Sequence, residues 1–336
     1  MQIIASGDSC KNVTIYGNII SATQQAFTTN ASGVYVSGFT PRLTIRKNTI
    51  SSVSNAVYLI GINNLSQYTT NLVIDSNNVT TSPSGSWYGI VLNYCSNPTI
   101  KYNSILMNSC CINQGIYLSN NSNGGVIAYN KVIANSYFQY GIYLQNVNIN
   151  GETTPLMVYN NFISTSSGNY NCFVSNSNYI NFFNNSFNVV SSISYNLYVN
   201  SSGTNNNINI VNNSFKSPSA YISLFVGGTN ITTARAMIGE CNFNNYYQGS
   251  GSASENLLNL QGTNYTISTI KGAIKPSAPM SDSNSNAFNP QYKTNTDLHI
   301  LPSSGLEGRG KLLSAFFTDD IDGGEAFDQQ LRYRSR

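Results

Sequence analysis

A phrase of nine residues recurs along most of the chain at intervals of 24 to 31 residues, and this repeat limits the fold more than any other feature. Its copies are NVTIYGNII (12–20), RLTIRKNTI (42–50), NLVIDSNNV (71–79), NPTIKYNSI (97–105), GVIAYNKV (125–132), PLMVYNNFI (155–163), YINFFNNSF (179–187), NINIVNNSF (207–215) and RAMIGECNF (235–243). The seventh position of the full phrase is Asn in eight of the nine copies. We call these residues the anchor asparagines: Asn18, Asn48, Asn77, Asn103, Asn130, Asn161, Asn185 and Asn213, with Cys241 in the ninth copy.

A second, shorter phrase lies between these copies. It reads GVYV (33–36), AVYL (56–59), GIVL (89–92), GIYL (115–118), GIYL (141–144), NCFV (171–174) and NLYV (196–199). Both phrases alternate in polarity and are rich in β-branched and aromatic residues, which is typical of β-strands. The repeat region has no 3.6-residue period, so helical repeats are excluded.

Short strands at a fixed period predict an all-β fold, a parallel β-solenoid of about nine or ten coils over residues 1–274. An irregular linker and closing segment follows over residues 275–336. In each coil the anchor asparagine is expected to stack on its copy ~4.8 Å away, where an amide both donates and accepts hydrogen bonds. The Ile, Val or Phe two positions later is expected to point inward.

The repeated I-x-x-N-x-I phrase is similar to the repeats of right-handed parallel β-helix proteins, the pectate-lyase-like group, over about residues 12–245. The resemblance implies a right-handed helix. The group includes polysaccharide lyases and hydrolases, adhesins and phage tailspikes, and a fold does not by itself decide a function.

Beyond residue 274 the repeat stops, and residues 289–310 and 318–324 resemble the closing segment of some secreted bacterial β-helix proteins. The matching residues are Asn289, Pro290, Tyr292, Asp297, His299, Gly310, Asp320, Asp322 and Gly323. The usual Asp-Ile-Gly-Ala ending is absent, which indicates either truncation or a different continuation.

Alternation places the third residue of each second phrase on the outside of the coil, and six of these seven residues are aromatic. We predict that they contact a glycan or a protein partner: Tyr35, Tyr58, Tyr117, Tyr143, Phe173 and Tyr198. The alternative is structural, because stacking between coils also stabilises a sheet.

A column of charged residues is the candidate catalytic site. Arg46, Asp75 and Lys101 each lie two positions before an anchor, so they fall on the outside of three consecutive coils. A β-eliminating lyase needs a base and a positive group near a uronate carboxylate, and Arg and Lys supply both. The alternative is a surface ion-pair ladder.

Carboxylates are too sparse for a glycosidase. Between residues 12 and 270 the only acidic residues are Asp75, Glu152, Glu240 and Glu255, and none are expected on neighbouring coils in one column. Asp319, Asp320 and Asp322 are the candidate Ca²⁺ ligands, with a solvated turn as the alternative. One histidine, His299, and six cysteines without a CxxC pair give poor support for zinc, so we predict no cofactor.

Charged residues form only 9% of the chain and the net charge is +3, which excludes a polybasic nucleic-acid surface. No apolar run reaches the ~18 residues of a membrane span, and no signal peptide is visible. The resemblance to secreted and phage β-helix proteins implies an extracellular, cell-surface or virion location, and the ring column and sparse carboxylates favour a protein that binds polysaccharide or neighbouring copies and is not an enzyme. The alternatives are a polysaccharide lyase and a self-assembling fibre subunit that associates end to end or side by side.

Overall fold

The chain folds as a parallel β-helix, as the repeat predicts, and its described residues include one short α-helix. The computed structural model describes residues 1–5, 10–22, 32–52, 55–61, 68–81, 88–108, 114–121, 123–192, 195–200, 207–218, 221–249, 252, 254–277 and 279–317. Three parallel strand stacks enclose a continuous apolar core of Ile, Val and Leu side chains.

The first half of each nine-residue phrase forms one strand of a nine-stranded parallel sheet. Its strands are β2 (Thr14–Tyr16), β5 (Thr44–Arg46), β9 (Val73–Asp75), β13 (Thr99–Lys101), β16 (Gly125–Ala128), β18 (Leu156–Tyr159), β20 (Ile180–Phe183), β23 (Ile208–Val211) and β26 (Ile238–Asn242). The central residue of the short strands, such as Ile45 or Ile74, is buried in the core.

A tight corner follows each of these strands, and the anchor asparagine lies in it. The residue before each anchor has a φ between 51° and 68°, the left-handed conformation that turns the chain sharply.

The strand that begins directly after each anchor belongs to a second stack, which we call the first strand run. Its strands are β3 (Ile19–Ala22), β6 (Thr49–Ser52), β10 (Asn78–Thr81), β14 (Ser104–Met107), β21 (Ser186–Ser192), β24 (Ser214–Ser217) and β27 (Asn245–Gln248).

The second phrase forms the second strand run, which has the ring-bearing outer face. It contains β1 (Gln2–Ile4), β4 (Ser32–Ser37), β7 (Asn55–Ile60), β11 (Tyr88–Asn93), β15 (Gln114–Ser119), β22 (Tyr195–Asn200), β25 (Ile222–Gly227) and β28 (Leu258–Leu260). Two long strands, β17 (Lys131–Gln145) and β19 (Phe162–Ser175), belong to both runs. The remaining elements are β8 (Thr69–Thr70), β12 (Cys95–Ser96), β29 (Thr263–Tyr265), which pairs antiparallel with β28, and α1 (Ile231–Met237).

The anchor asparagines form a buried hydrogen-bonded ladder, which confirms their predicted stacking. The Asn103 Nδ2 donates to Asn130 Oδ1 at 2.9 Å, and the Asn130 Nδ2 donates to Asn161 Oδ1 at 3.0 Å. The Asn103 Nδ2 also donates to the Ile74 carbonyl of the previous coil at 2.9 Å. Each amide oxygen accepts a backbone N–H as well, so the ladder satisfies the polar groups of the corner.

The ninth anchor is Asn244, so the assignment of Cys241 to this position was wrong. Strand β26 carries one extra residue between its pairings Ile208↔Ile238 and Ile210↔Cys241. This bulge shifts the register, and the Asn213 Nδ2 donates to Asn244 Oδ1 at 3.2 Å. Tyr246, rather than Phe243, then occupies the inward position beside Phe215.

The segment after the last strand packs back along the rod, and we call residues 279–317 the C-terminal strap. It first caps the ladder: the Asn244 backbone N–H donates to Ser285 Oγ at 3.0 Å, and the Asn286 N–H donates to the Asn244 carbonyl at 2.9 Å. It then reaches the first strand run, where the Tyr292 hydroxyl donates to Ser214 Oγ at 2.8 Å. The predicted boundary near residue 274 stays a prediction.

The end of the strap covers the outer face of the nine-stranded sheet. Leu313 and Phe317 are buried there, in an apolar cluster with Tyr129, Tyr159 and Phe183. The Phe317 ring stacks on Tyr159 with centroids 4.7 Å apart. The strap therefore covers the later coils of this face and leaves Tyr16 and Arg46, on the first two coils, exposed.

Candidate functional site

The six predicted ring residues lie in one column on the outside of the second strand run. Strand pairing aligns Tyr35 with Tyr58, Tyr117 with Tyr143, and Phe173 with Tyr198. All six are half-buried, while the residues on either side of each ring, such as Ile116 and Leu118, are fully buried. The column continues through Phe225, which pairs with Tyr198.

A second column of tyrosines lies beside the first, and the sequence reasoning missed it. Its members are Tyr88, Tyr140, Tyr170 and Tyr195. The sequence carries a signal for them, because each stands three residues before the ring position in YGIVL, YGIYL, YNCFV and YNLYV. We call the two columns together the aromatic ribbon. Tyr88 lies 6.5 Å from Tyr58 and 6.0 Å from Tyr117, so it bridges the gap at Val91.

Strict alternation would place residues three apart on opposite faces of a strand. In the second strand run both intervening residues are buried, for instance Gly141 and Ile142, and the rings of Tyr140 and Tyr143 meet on one face with centroids 4.6 Å apart. Strands β11 and β15 have glycine at this point, where neighbouring coils approach closely. A Cβ on Gly115 would lie 2.6 Å from the Gly141 carbonyl oxygen, and a Cβ on Gly89 would lie 2.5 Å from that of Gly115.

Most rings of the ribbon stack on one another. Tyr117 and Tyr143 are 4.9 Å apart with an 11° angle between planes, and Tyr143 and Phe173 are 5.1 Å apart at 16°. Partial burial raises the pKa of Tyr143 to about 12, with nearby Tyr117 and Tyr140 adding to the effect. The Tyr143 phenol therefore stays neutral near pH 7 and can donate a hydrogen bond.

Amide side chains run beside the ribbon, at the end of the second strand run. The Asn120 Nδ2 donates to Asn93 Oδ1 at 3.1 Å, Asn146 donates to Asn120 at 3.1 Å, and Asn176 donates to Asn146 at 2.8 Å. Gln145 accepts the Tyr117 hydroxyl. Rings and amides together give this face apolar surface next to groups that both donate and accept hydrogen bonds.

The charged column is aligned as predicted: Arg46 pairs with Asp75 and Asp75 with Lys101 on adjacent strands. The Arg46 Nε and Asp75 Oδ2 are 2.6 Å apart and form an ion pair. The Lys101 Nζ lies 5.9 Å from the Tyr129 ring centroid, over its face. Arg46 and Asp75 thus pair with each other, while Lys101 contacts an aromatic ring, and a catalytic role for this column stays a prediction.

The other acidic residues of the rod are dispersed. Glu240 forms an ion pair with Lys311 at 2.8 Å, and Glu152 accepts the backbone N–H of Asn150. His299 contacts the Asp297 carboxylate, and its ring is nearly perpendicular to that of Phe162, with centroids 4.8 Å apart. Within the described ranges no three His, Cys, Asp or Glu side chains cluster as metal ligands, and Asp319, Asp320 and Asp322 lie outside those ranges.

A buried polar cluster under the cap also escaped the sequence reasoning. Asp282 accepts hydrogen bonds from the Tyr246 hydroxyl at 3.0 Å and from Ser285 Oγ at 2.7 Å, and Cys241 Sγ lies 3.7 Å away. Burial raises the pKa of Asp282 to about 6, although these hydrogen bonds oppose the shift. No sequence signal marks the cluster, because it forms only when the strap folds against the ninth coil.

The fold and its asparagine ladder define a parallel β-helix protein. Comparisons with family models, with curated proteins and with solved structures gave no match. Among the helices of the described residues, none is both long and apolar enough to cross a membrane.

Proposed function

We propose that this protein is a non-catalytic, extracellular or virion-surface rod of the adhesin or tailspike type that binds polysaccharide through the aromatic ribbon. The observation that supports this most is the continuity of the ribbon from Tyr35 to Phe225 on the second strand run, away from the C-terminal strap. Neutral phenols and amides on this surface suit a hydroxyl-rich ligand. The proposal also includes membership of the pectate-lyase-like group, for which the repeat phrase is the support.

The glycan function is tested by comparing two tyrosine variants on different faces. Replacing both Tyr117 and Tyr143 with Ala should abolish retention on a glycan array. Replacing Tyr102 with Ala should preserve retention, because that ring stacks on Tyr129 at 4.7 Å on another face. Melting temperatures recorded in parallel separate binding from stability. Equal retention by both variants would refute the proposal and leave a structural role for the ribbon.

The second candidate is a subunit of a self-assembling fibre, and two exposed apolar side chains favour it. Ile19, which pairs with Thr49 on the outer face of the first strand run, is 87% exposed, and Ile4 is 59% exposed. Exposed apolar side chains of this size favour association between copies of a chain. Sedimentation of Ile19→Lys against the parent chain tests this: a fibre subunit should shift to smaller species, and an unchanged profile would exclude association through this surface.

The polysaccharide lyase alternative has its own test. A lyase would release unsaturated uronate products, which absorb in the ultraviolet, from acidic polysaccharides. Product that disappears in Lys101→Ala would overturn the non-catalytic proposal.

A further inference from the structure

The aromatic ribbon is not uniform along the rod. Over its first coils the second column holds Ser32 and Asn55 beside Tyr35 and Tyr58, so the ribbon is one ring wide. From β17 to β22 three consecutive coils carry rings in both columns. We call these six residues the platform: Tyr140, Tyr143, Tyr170, Phe173, Tyr195 and Tyr198. The two rings of a single coil also touch, as Tyr140 and Tyr143 do at 4.6 Å.

The stacking breaks inside the platform. Tyr143 and Phe173 are nearly parallel, but Tyr198 is turned by 64° against Phe173 and by 62° against Tyr170. Beyond the break, Tyr198 is again parallel to Phe225, at 4.3 Å and 4°. Within a parallel stack each ring covers the face of the next and leaves mainly its edge for a ligand. A turned ring interrupts this cover, so the break is where a ring face can receive the apolar face of a sugar.

Among the described residues, the surroundings of the break carry amides and hydroxyls rather than charges. Ser175 and Asn200 pair on the strands that hold Phe173 and Tyr198, and the exposed Asn176 follows Ser175. Asn176 is already ordered by its bond to Asn146. Amides and hydroxyls bind sugar hydroxyls as donors and acceptors, but they do not offset the desolvation of a carboxylate or sulfate as an Arg or Lys would.

We infer that the platform is the primary subsite for an uncharged polysaccharide, with one sugar on the break at Phe173 and Tyr198 and the chain extended along the rod axis. The axial direction follows from the ring spacing, because successive rings recur at each ~4.8 Å rung only in that direction. This inference rests on the proposed glycan-binding function and specifies its place and ligand class.

The test measures affinity for uncharged hexasaccharides, namely cellohexaose, xylohexaose, mannohexaose and maltohexaose, with hexagalacturonate as the charged comparison. For a hexasaccharide that binds, Phe173→Ala and Tyr198→Ala should each lower affinity by about tenfold or more, as expected of central aromatic contacts. Tyr35→Ala, a ring of the same column outside the platform, should change it by less than about twofold. Phe173→Leu keeps an apolar side chain but no ring. It should therefore lose affinity as Phe173→Ala does, with a smaller change in melting temperature than Phe173→Ala.

Each outcome decides a separate point. Equal losses in Tyr35→Ala and Phe173→Ala would overturn the platform as primary subsite and leave glycan binding intact. Exclusive binding of hexagalacturonate, with affinity that falls steeply as salt rises, would overturn the uncharged ligand class. Binding of none of the five would refute the proposed function itself.

Discussion

Single residues set the register between neighbouring coils of the β-helix. The anchor asparagine does so with both its side-chain amide nitrogen and its side-chain oxygen. Asn103 donates to the next anchor, to the Ile74 carbonyl of the previous coil and to the Lys101 carbonyl, and its oxygen accepts the Asn77 backbone N–H and side-chain amide. An apolar residue of similar size fills the same space but leaves these partners unsatisfied in a buried corner.

Asn103→Leu should therefore lower the free energy of unfolding by about 1–3 kcal/mol, the cost of leaving buried polar groups without partners. Chemical denaturation followed by circular dichroism measures it. The matched control is Asn78→Leu, because Asn78 directly follows an anchor but is exposed. Equal effects of the two substitutions would contradict a special role for the ladder.

Residue positions were predictable wherever the chain keeps its period. The inward residues, the ring column and eight anchors follow from alternation between short strands, and Val34 and Leu118 are fully buried as expected. The prediction fails where one residue is inserted, as in β26, because a bulge shifts the register without changing the local composition. Tyr140 and Tyr170 were missed for a related reason: a glycine or asparagine lets two successive residues turn inward.

Among the larger elements, the C-terminal strap joins the rod through both apolar and polar contacts. Its packing could not be read from the sequence, since the strap has neither repeat nor strand pattern. Its partners lie at irregular separations, for example 41 residues for Ser285 with Asn244 and 99 residues for Lys311 with Asn212. Two neighbouring leucines show how selective the contact is. Leu313 is 5% exposed against the nine-stranded sheet, whereas Leu312 is 63% exposed.

Leu313→Ala should loosen the strap, at a cost of about 2–3 kcal/mol, the lower part of the range for a buried leucine, because the strap can shift to close the space. Limited proteolysis should then release strap fragments faster than from the parent chain. Leu312→Ala is the control and should leave the cleavage rate unchanged. A strap that is equally resistant in both variants would mean that Leu313 contributes little to docking.

The cap of the last coil should respond to pH through Asp282. Its pKa is raised from 3.8 to about 6, so the folded protein holds this proton more tightly than the unfolded chain. The stabilisation that this proton gives is complete below the pKa of the unfolded chain, 3.8, and is lost as the pH rises through the folded-state pKa, about 6. The free energy of unfolding should fall by up to about 3 kcal/mol over this range. Asp282→Asn should remove this loss, so its advantage in melting temperature over the parent should grow between pH 4 and pH 7. A difference that stays constant with pH would contradict the buried, protonated carboxyl.

For the whole molecule, nearly every strand contact joins residues of neighbouring coils, and successive anchors are 24 to 31 residues apart. Parallel pairing of this kind closes a long loop for each strand added, which makes folding slow. Guanidinium unfolding and refolding curves should therefore fail to coincide after hours at constant temperature. Curves that superimpose within minutes would show that the coils form independently and fast.

The asparagine ladder also gives the rod a direction along its axis, because its hydrogen bonds have a donor side and an acceptor side. Each anchor amide from Asn18 to Asn213 donates to the anchor oxygen of the next coil and none donates to the anchor of the previous coil, so the row of anchor-to-anchor bonds runs in one sense. Within the row the anchor oxygens therefore face the Asn18 side and the donated hydrogens face the Asn244 side. Two such rows brought together by their oxygen-facing sides would set oxygen against oxygen, so a symmetric contact of that kind is disfavoured. One row continues another only where a donor meets an acceptor, which makes any stacking of such ladders directional.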